Sequence, residues 1–107
     1  MKKIAVMAET NYIGVVLHNN AGPLGTAASL HAALAISNVV LLEAPWIDRN
    51  PVSDIVSPFP EVKKGYALPL EGSGLGIEFN EQAAEKTAFV ARQIPKLKGF
   101  DGSVRDW

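Results

Sequence analysis

Two short aliphatic runs that do not alternate with polar residues dominate the hydrophobic pattern of this chain. They read GVVL at positions 14–17 and VVLL at positions 39–42. Strands that are buried on both faces of a parallel sheet give continuous runs of this kind. Between them, NNAGPLG predicts a tight loop, and residues 27–36 predict an apolar, alanine-rich helix with Thr26 as its N-cap. The pattern therefore predicts an α/β fold built on a strand, loop, helix and strand.

The segments on either side of this unit give weaker signals. Residues 2–12 place apolar positions at helical spacing and predict an amphipathic helix; no N-cap precedes it, so we expect it to begin upstream. Five prolines between positions 45 and 69 predict an extended arm, with a short strand at 64–70. The glycines of EGSGLGIEF predict a turn, and Asn80 predicts the N-cap of a last helix that runs to Arg92.

Composition narrows the classes of function. A chain of 107 residues is long enough for a single core. Ten basic and eleven acidic residues, without a basic stripe, argue against nucleic acid as a main partner. The absence of cysteine excludes disulfides and thiolate chemistry and suits the cytoplasm, where we expect the protein. No apolar run approaches the roughly 18 residues of a membrane span, so we expect no membrane partner.

Each aliphatic run ends on an ionisable residue, and these two residues are the candidate site. His18 follows the first run and Glu43 follows the second. His18 is either a general acid or base or a histidine that caps loop carbonyl groups, and Glu43 is either a catalytic carboxylate or an acceptor for loop N–H groups. Neighbouring parallel strands lie about 4.8 Å apart, so their ends would bring the two side chains together.

Other chemistry-bearing residues favour structural interpretations. His31 lies within the apolar helix beside Leu30, where we expect a hydrogen-bonded structural histidine. The segment GSGLGI at 72–77 has Ile77 where a dinucleotide-binding fingerprint needs a third glycine, and no Walker lysine follows it. Glu78 and Glu81 have no histidine or aspartate at ligand spacing, so they do not predict a metal site.

Three segments resemble a known family in the family's own order. LHNNAGPLGTAASLHAALAISNVVLLE at 17–43 resembles the closing part of the catalytic barrel in the mandelate racemase branch of the enolase superfamily, and most closely the sugar-acid dehydratases of the galactonate dehydratase type. GSGLGIEFNEQ resembles their glycine-rich turn, and DGSVRDW resembles their C-terminal ending. The resemblance implies a C-terminal portion of a (β/α) TIM-type barrel, with about two βα units and an extended C-terminal arm and helix.

The same resemblance implies roles for the two strand-end residues. His18 matches the base at the end of the seventh barrel strand, which removes a proton next to a carboxylate. Glu43 matches the eighth-strand glutamate, which hydrogen-bonds the resulting enediolate. In the dehydratases a hydroxyl group then leaves the neighbouring carbon of the sugar acid, an aldonate of the galactonate type. The Leu24-Gly25 pair departs from a commoner Ile-Ser pair and leaves the substrate open.

The family's remaining catalytic groups have no counterpart in this sequence. Its Mg²⁺ ligands, the aspartate that orients the histidine and the capping domain belong to positions upstream of Met1. We therefore divide the chain into the last barrel units at 1–44 and an arm, turn, helix and tail at 45–107, and expect it to be inactive alone.

Three alternatives remain open. They are a racemase or a cycloisomerase of the same superfamily, and a non-catalytic, self-associating structural or binding module. We expect either a homo-oligomer or association with the missing N-terminal part, because two parallel strands leave unpaired edges.

Overall fold

The computed structural model of the chain describes residues 1–45, 47, 50–87, 90–91 and 97–105. The described part contains short helices and very short strands joined by turns. In chain order they are α1 (Lys2–Glu9), β1 (Val15–Leu17), α2 (Pro23–Leu34), β2 (Val39–Leu42), β3 (Val56–Ser57), β4 (Val62–Lys63), β5 (Tyr66–Ala67), β6 (Glu78–Phe79) and α3 (Glu81–Glu85).

The two aliphatic runs form a parallel pair, as their pattern predicts. β1 and β2 lie side by side with α2 as the crossover between them, and the register joins Val15 to Val39 and Leu17 to Leu42. An irregularity after Val15 leaves Val40 without a partner in β1. Most of the buried apolar residues belong to this unit. The buried apolar residues are Ala5, Leu17, Ala27, Leu30 and Val56.

The helix between the strands begins earlier than its sequence predicted. α2 starts at Pro23 with Gly22 as the N-cap, so the prediction of Thr26 as the N-cap is wrong. Proline suits the first helical position because its fixed φ is already helical and its missing N–H would be unpaired there. Thr26 lies inside the first turn and is fully buried. The helix ends at Leu34, two residues before the predicted end at Ile36.

The N-terminal helix is shorter than predicted and is tied to the parallel strands by one asparagine. α1 ends at Glu9, and Tyr12, predicted as the last helical residue, has a φ of 57°. Asn38, just before β2, donates from Nδ2 to the carbonyl oxygens of Ala5 at 3.0 Å and Ile13 at 2.8 Å. These contacts fix α1 and the start of β1 against the start of β2.

The arm contains more strand pairing than predicted. β4 and β5 form an antiparallel hairpin whose turn is Lys64-Gly65, where the sequence predicted one strand at 64–70. Both turn residues have a positive φ, which a two-residue hairpin turn of type I′ requires and which Gly65 adopts freely. β3 pairs with β6 in the antiparallel sense, with 20 residues of arm and turn between them. No local sequence pattern predicted this pairing.

The last helix begins where predicted and ends early. Asn80 accepts a hydrogen bond from the Ala83 N–H at 3.1 Å, which confirms it as the N-cap of α3. α3 ends at Glu85, so the predicted helix to Arg92 is wrong for residues 86, 87, 90 and 91; residues 88, 89 and 92 lie outside the described residues.

The chain is far more exposed than a folded monomer of its mass. Its accessible surface is 8718 Å², whereas a compact monomer of 11.4 kDa exposes about 5,800 Å². Its radius of gyration is 17.2 Å, against about 13 Å for a compact domain of this length. Within the described residues, no helix combines the length and apolar character that crossing a bilayer requires.

Candidate active site

The register of the parallel pair brings the two strand-end residues side by side. Leu17 and Leu42 are paired, and the Glu43 N–H donates to the Leu17 carbonyl oxygen at 2.9 Å. The next residue of each strand, His18 and Glu43, therefore lies at the same edge of the sheet. Carboxyl ends of parallel strands are where active sites of βα barrels collect.

The side chains of His18 and Glu43 contact each other directly. His18 Nδ1 lies 2.5 Å from Glu43 Oε2, with 77% and 46% of the two side chains exposed. A carboxylate only accepts hydrogen bonds, so Nδ1 carries the proton and donates it to Oε2. In a neutral imidazole this leaves Nε2 with a lone pair, available to take a proton. The strand ends predicted this proximity, while the roles of the two residues remain predictions.

A third residue at this edge is absent from the sequence-based site. The backbone N–H of Asn19 donates to the same Glu43 oxygen, Oε2, at 3.2 Å. The Asn19 side chain is turned inward, where its Oδ1 accepts from the Ala21 N–H at 3.2 Å. Asparagine two residues before a loop N–H is the signature of an Asx turn, the one sequence signal that marks this residue.

His31 is not part of this group. Its Nε2–H donates to the Leu75 carbonyl oxygen at 3.0 Å. This contact joins α2 to the glycine-rich turn of the arm and confirms the prediction of a hydrogen-bonded structural histidine.

The glycine-rich segment and the nearby glutamates form a turn. Gly72, Gly74 and Gly76 have positive φ angles. A Cβ at Gly76 would lie 2.8 Å from the Glu71 carbonyl oxygen, so the turn itself accounts for this glycine. In the described ranges no group of three histidine, cysteine, aspartate or glutamate residues is arranged to hold a metal ion. The donor set among these described residues therefore does not fit Mg²⁺.

Comparison with known proteins agrees with the predicted fold. Residues 1–83 match the model of the family described as enolase C-terminal domain-like. The chain belongs to this family. Its α/β unit is accordingly a portion of a (β/α) barrel, while the division at residue 44 remains a prediction.

Named relatives are dehydratases that act on sugar acids. A D-galactonate dehydratase family member from Pseudarthrobacter chlorophenolicus is 31% identical over 109 residues, which cover 100% of this chain and 26% of that protein. The D-galactonate dehydratase of Cronobacter sakazakii is 31% identical over 113 residues, covering 98% of this chain and 30% of that protein. The chain thus spans between a quarter and a third of the length of these relatives.

A solved structure shows the same backbone arrangement. An enolase from Agrobacterium radiobacter, with bound sodium and L-malate, superimposes with a TM-score of 0.80 at 30% identity. The match covers 97% of this chain and 30% of that structure.

Proposed function

We propose that this chain supplies the base and its carboxylate partner to a sugar-acid dehydratase of the enolase superfamily. The observation that carries the proposal is the contact between His18 Nδ1 and Glu43 Oε2 at 2.5 Å, at the carboxyl ends of two parallel strands. The dehydratase names of the relatives support the reaction class. The substrate class is an aldonate, a sugar acid with its carboxylate at C1 and hydroxyl groups on C2 and C3.

The chemistry follows from the orientation of the imidazole ring. His18 Nε2 takes the proton from C2, and the C–H electron pair forms the enediolate with the substrate carboxylate. The C3 hydroxyl takes a proton from a general acid of the complete enzyme and departs as water, while the electron pair of the enediolate forms the C2–C3 double bond. The resulting enol becomes a 2-keto-3-deoxy acid. In the chain by itself the Glu43 carboxylate accepts from Nδ1–H and stabilises the imidazolium, as a carboxylate does beside a catalytic histidine. In the complete enzyme the resemblance gives this task to an aspartate outside the chain and gives Glu43 the enediolate. The second Glu43 oxygen, Oε1, can accept a hydrogen bond from a protonated enediolate oxygen.

The metal of the complete enzyme has to be held by residues other than the described ones of this chain. Mg²⁺ would stabilise the charge on a substrate carboxylate when bound, through ligands that the resemblance places upstream of Met1. We accordingly expect the chain alone to be inactive. Turnover of an aldonate panel by the isolated chain in the presence of Mg²⁺, lost on His18→Ala, would contradict this expectation.

A chimera tests the proposed reaction. The aligned C-terminal stretch of the Cronobacter sakazakii D-galactonate dehydratase is replaced by residues 1–107 of this chain, and formation of 2-keto-3-deoxy acids is measured over a panel of aldonates. His18→Asn should lower kcat by about 10²- to 10⁴-fold, the usual contribution of a general base. His31→Gln is the matched control, because it changes the other histidine and keeps an N–H donor for Leu75.

The same chimera separates dehydration from racemisation. Exchange of the C2 proton with solvent deuterium, without loss of the C3 hydroxyl, would favour a racemase. A folded chimera that neither exchanges the C2 proton nor forms product would overturn the proposal for both reactions.

A second candidate function has its own observation. The chain exposes about 2,900 Å² more than a compact monomer of its mass, and several apolar residues of the parallel strands are on this surface. Val40 is 73% exposed and Leu41 is 59% exposed. Neighbouring apolar side chains exposed in this way mark an association site, so a self-associating structural module is the alternative.

A further inference from the structure

The buried polar residues next to the site form a small hydrogen-bonded group of their own. Asn19 is 3% exposed and Thr26 is 0% exposed. Asn19 donates from Nδ2 to Thr26 Oγ1 at 3.1 Å, and Asn19 Oδ1 accepts from the Ala21 N–H at 3.2 Å. Burying an amide without hydrogen-bond partners is unfavourable, so these bonds hold the Asn19 side chain in one position.

This buried group is connected to the exposed pair through a single backbone N–H. The Asn19 N–H donates to Glu43 Oε2, the oxygen that also accepts from His18 Nδ1. The connection therefore runs from Thr26 in α2, through Asn19 in the loop, to Glu43 and His18 at the strand ends. The Glu43 backbone is fixed separately by its bond to the Leu17 carbonyl oxygen.

We propose that Asn19 and Thr26 are positioning residues for the His18–Glu43 pair. Thr26 fixes the Asn19 side chain, the Asn19 N–H fixes Oε2 of Glu43, and in the chain by itself Glu43 keeps the proton of His18 on Nδ1. Nε2 is thereby left as the basic nitrogen. The catalytic meaning of this arrangement rests on the proposed function, whereas the arrangement itself does not.

Exposure is the reason the pair needs this support. An ion pair or hydrogen bond between exposed side chains gains little in water, because solvent screens the charges and both side chains lose rotamer freedom. The Asn19–Thr26 hydrogen bond is buried, so water does not compete with it. The orientation of the exposed imidazole consequently depends on a hydroxyl group inside the first turn of α2.

The test uses the full chain and needs no activity. Nitrogen NMR of the imidazole rings, at about pH 8 where an ordinary histidine is neutral, measures the ratio of the Nδ1–H to the Nε2–H tautomer of His18. Thr26→Val removes the hydroxyl group at constant shape and should lower this ratio about fivefold, the factor that corresponds to one net hydrogen bond. Thr26→Ser keeps the hydroxyl group and should restore the ratio.

Two controls distinguish a specific effect on His18 from a general loss of stability. Leu30→Val destabilises the same helix from a buried apolar position and should leave the His18 ratio unchanged. Hydrogen exchange of the unmodified chain needs no variant at all. The Asn19 amide should exchange at least tenfold more slowly than that of its exposed neighbour Asn20.

Three results would overturn the proposal. They are an unchanged ratio in Thr26→Val, an equal fall in Leu30→Val, and Asn19 exchange as fast as that of Asn20. A chimera without dehydratase activity, in a chain whose His18 ratio responds to Thr26→Val as expected, would overturn the proposed function and leave the positioning intact. In an active chimera, Thr26→Val should lower kcat with KM unchanged, and a change in KM alone would contradict the positioning role.

Discussion

Adding one methyl group at Gly25 should separate the loop that carries Asn19 from helix α2. A Cβ at Gly25 would lie 2.2 Å from the Ala21 Cβ, whereas two carbon atoms in ordinary contact are about 3.5 to 4.0 Å apart. Ala21 has no rotamer to change, so Gly25→Ala forces a backbone shift of more than about 1 Å. Ala21 also donates its N–H to Asn19 Oδ1, and this bond is expected to break.

The free energy of unfolding should fall by about 2 kcal/mol. Overpacking costs about 1 to 3 kcal/mol, and the upper end applies because the opposing methyl group cannot turn away. Alanine regains about 1 kcal/mol of helix propensity over glycine at a position inside α2. Urea unfolding followed by far-ultraviolet circular dichroism measures the difference, and exchange of the Asn19 amide should accelerate in the same variant.

Gly22→Ala is the matched control, because it adds the same methyl group three residues away. A Cβ at Gly22 would meet no heavy atom within 4 Å, and its φ of −67° suits alanine. Alanine is a poorer N-cap than glycine, which destabilises the folded chain, but it also lowers the conformational entropy of the unfolded chain, which stabilises it. The two effects nearly cancel, so we expect the free energy of unfolding to change by less than about 0.5 kcal/mol. Equal stability of the two variants, or a Gly25→Ala chain as stable as the unmodified one, would refute the reasoning.

Two further predictions concern association and pH. The chain should self-associate at micromolar concentration in sedimentation velocity, and Val40→Lys should weaken this association more than Val104→Lys, since Val40 lies in the parallel pair and Val104 in the tail; a monodisperse monomer would contradict it. The pKa of Asp101 lies below its ordinary value because its carboxylate accepts from the Ser103 hydroxyl and then from the Ser103 N–H. The carboxylate therefore supports this turn above the ordinary aspartate pKa, near 3.9, and the support is lost as pH falls through the lowered value. NMR titration of the carboxyl carbon should show Ser103→Ala returning the pKa toward the ordinary value, and an unmoved titration would exclude this cause.

The two parallel strands were predictable because an apolar run reflects the burial of a whole strand and does not depend on any single contact. Continuous runs at 14–17 and 39–42 indicated parallel strands, and the structure confirms the pair. The same runs predicted burial on both faces, yet Val16 is 61% exposed in β1. The sequence is patterned for neighbours that the described chain does not supply, which is also why its surface exceeds that of a compact monomer.

Contacts between distant segments could not be predicted in this way. The partner of His31 is a carbonyl group 44 residues further along the chain, and any residue type provides a carbonyl. β3 and β6 are two residues long, too short for hydrophobic alternation to show. The start of α2 was available from Gly22-Pro23, a glycine followed by proline at the first helical position, but Thr26 was the more familiar capping residue. Asn19 carried an Asx-turn signal, yet only the structure shows that its N–H contacts Glu43.

The contacts that place His18 and Glu43 come from this chain, but the solvent-exposed surroundings of the pair do not favour catalysis. The β1–β2 register, the Leu17 carbonyl group and the Asn19 N–H place the His18–Glu43 pair with contacts internal to this chain. The surroundings do not suit proton abstraction from carbon, because most of the His18 side chain faces water. Attraction between charges about 4 Å apart rises from roughly 1 kcal/mol in water to roughly 4 kcal/mol near a protein surface. Association that covers this sheet edge would exclude water from the pair, so the attraction between His18 and Glu43 should strengthen.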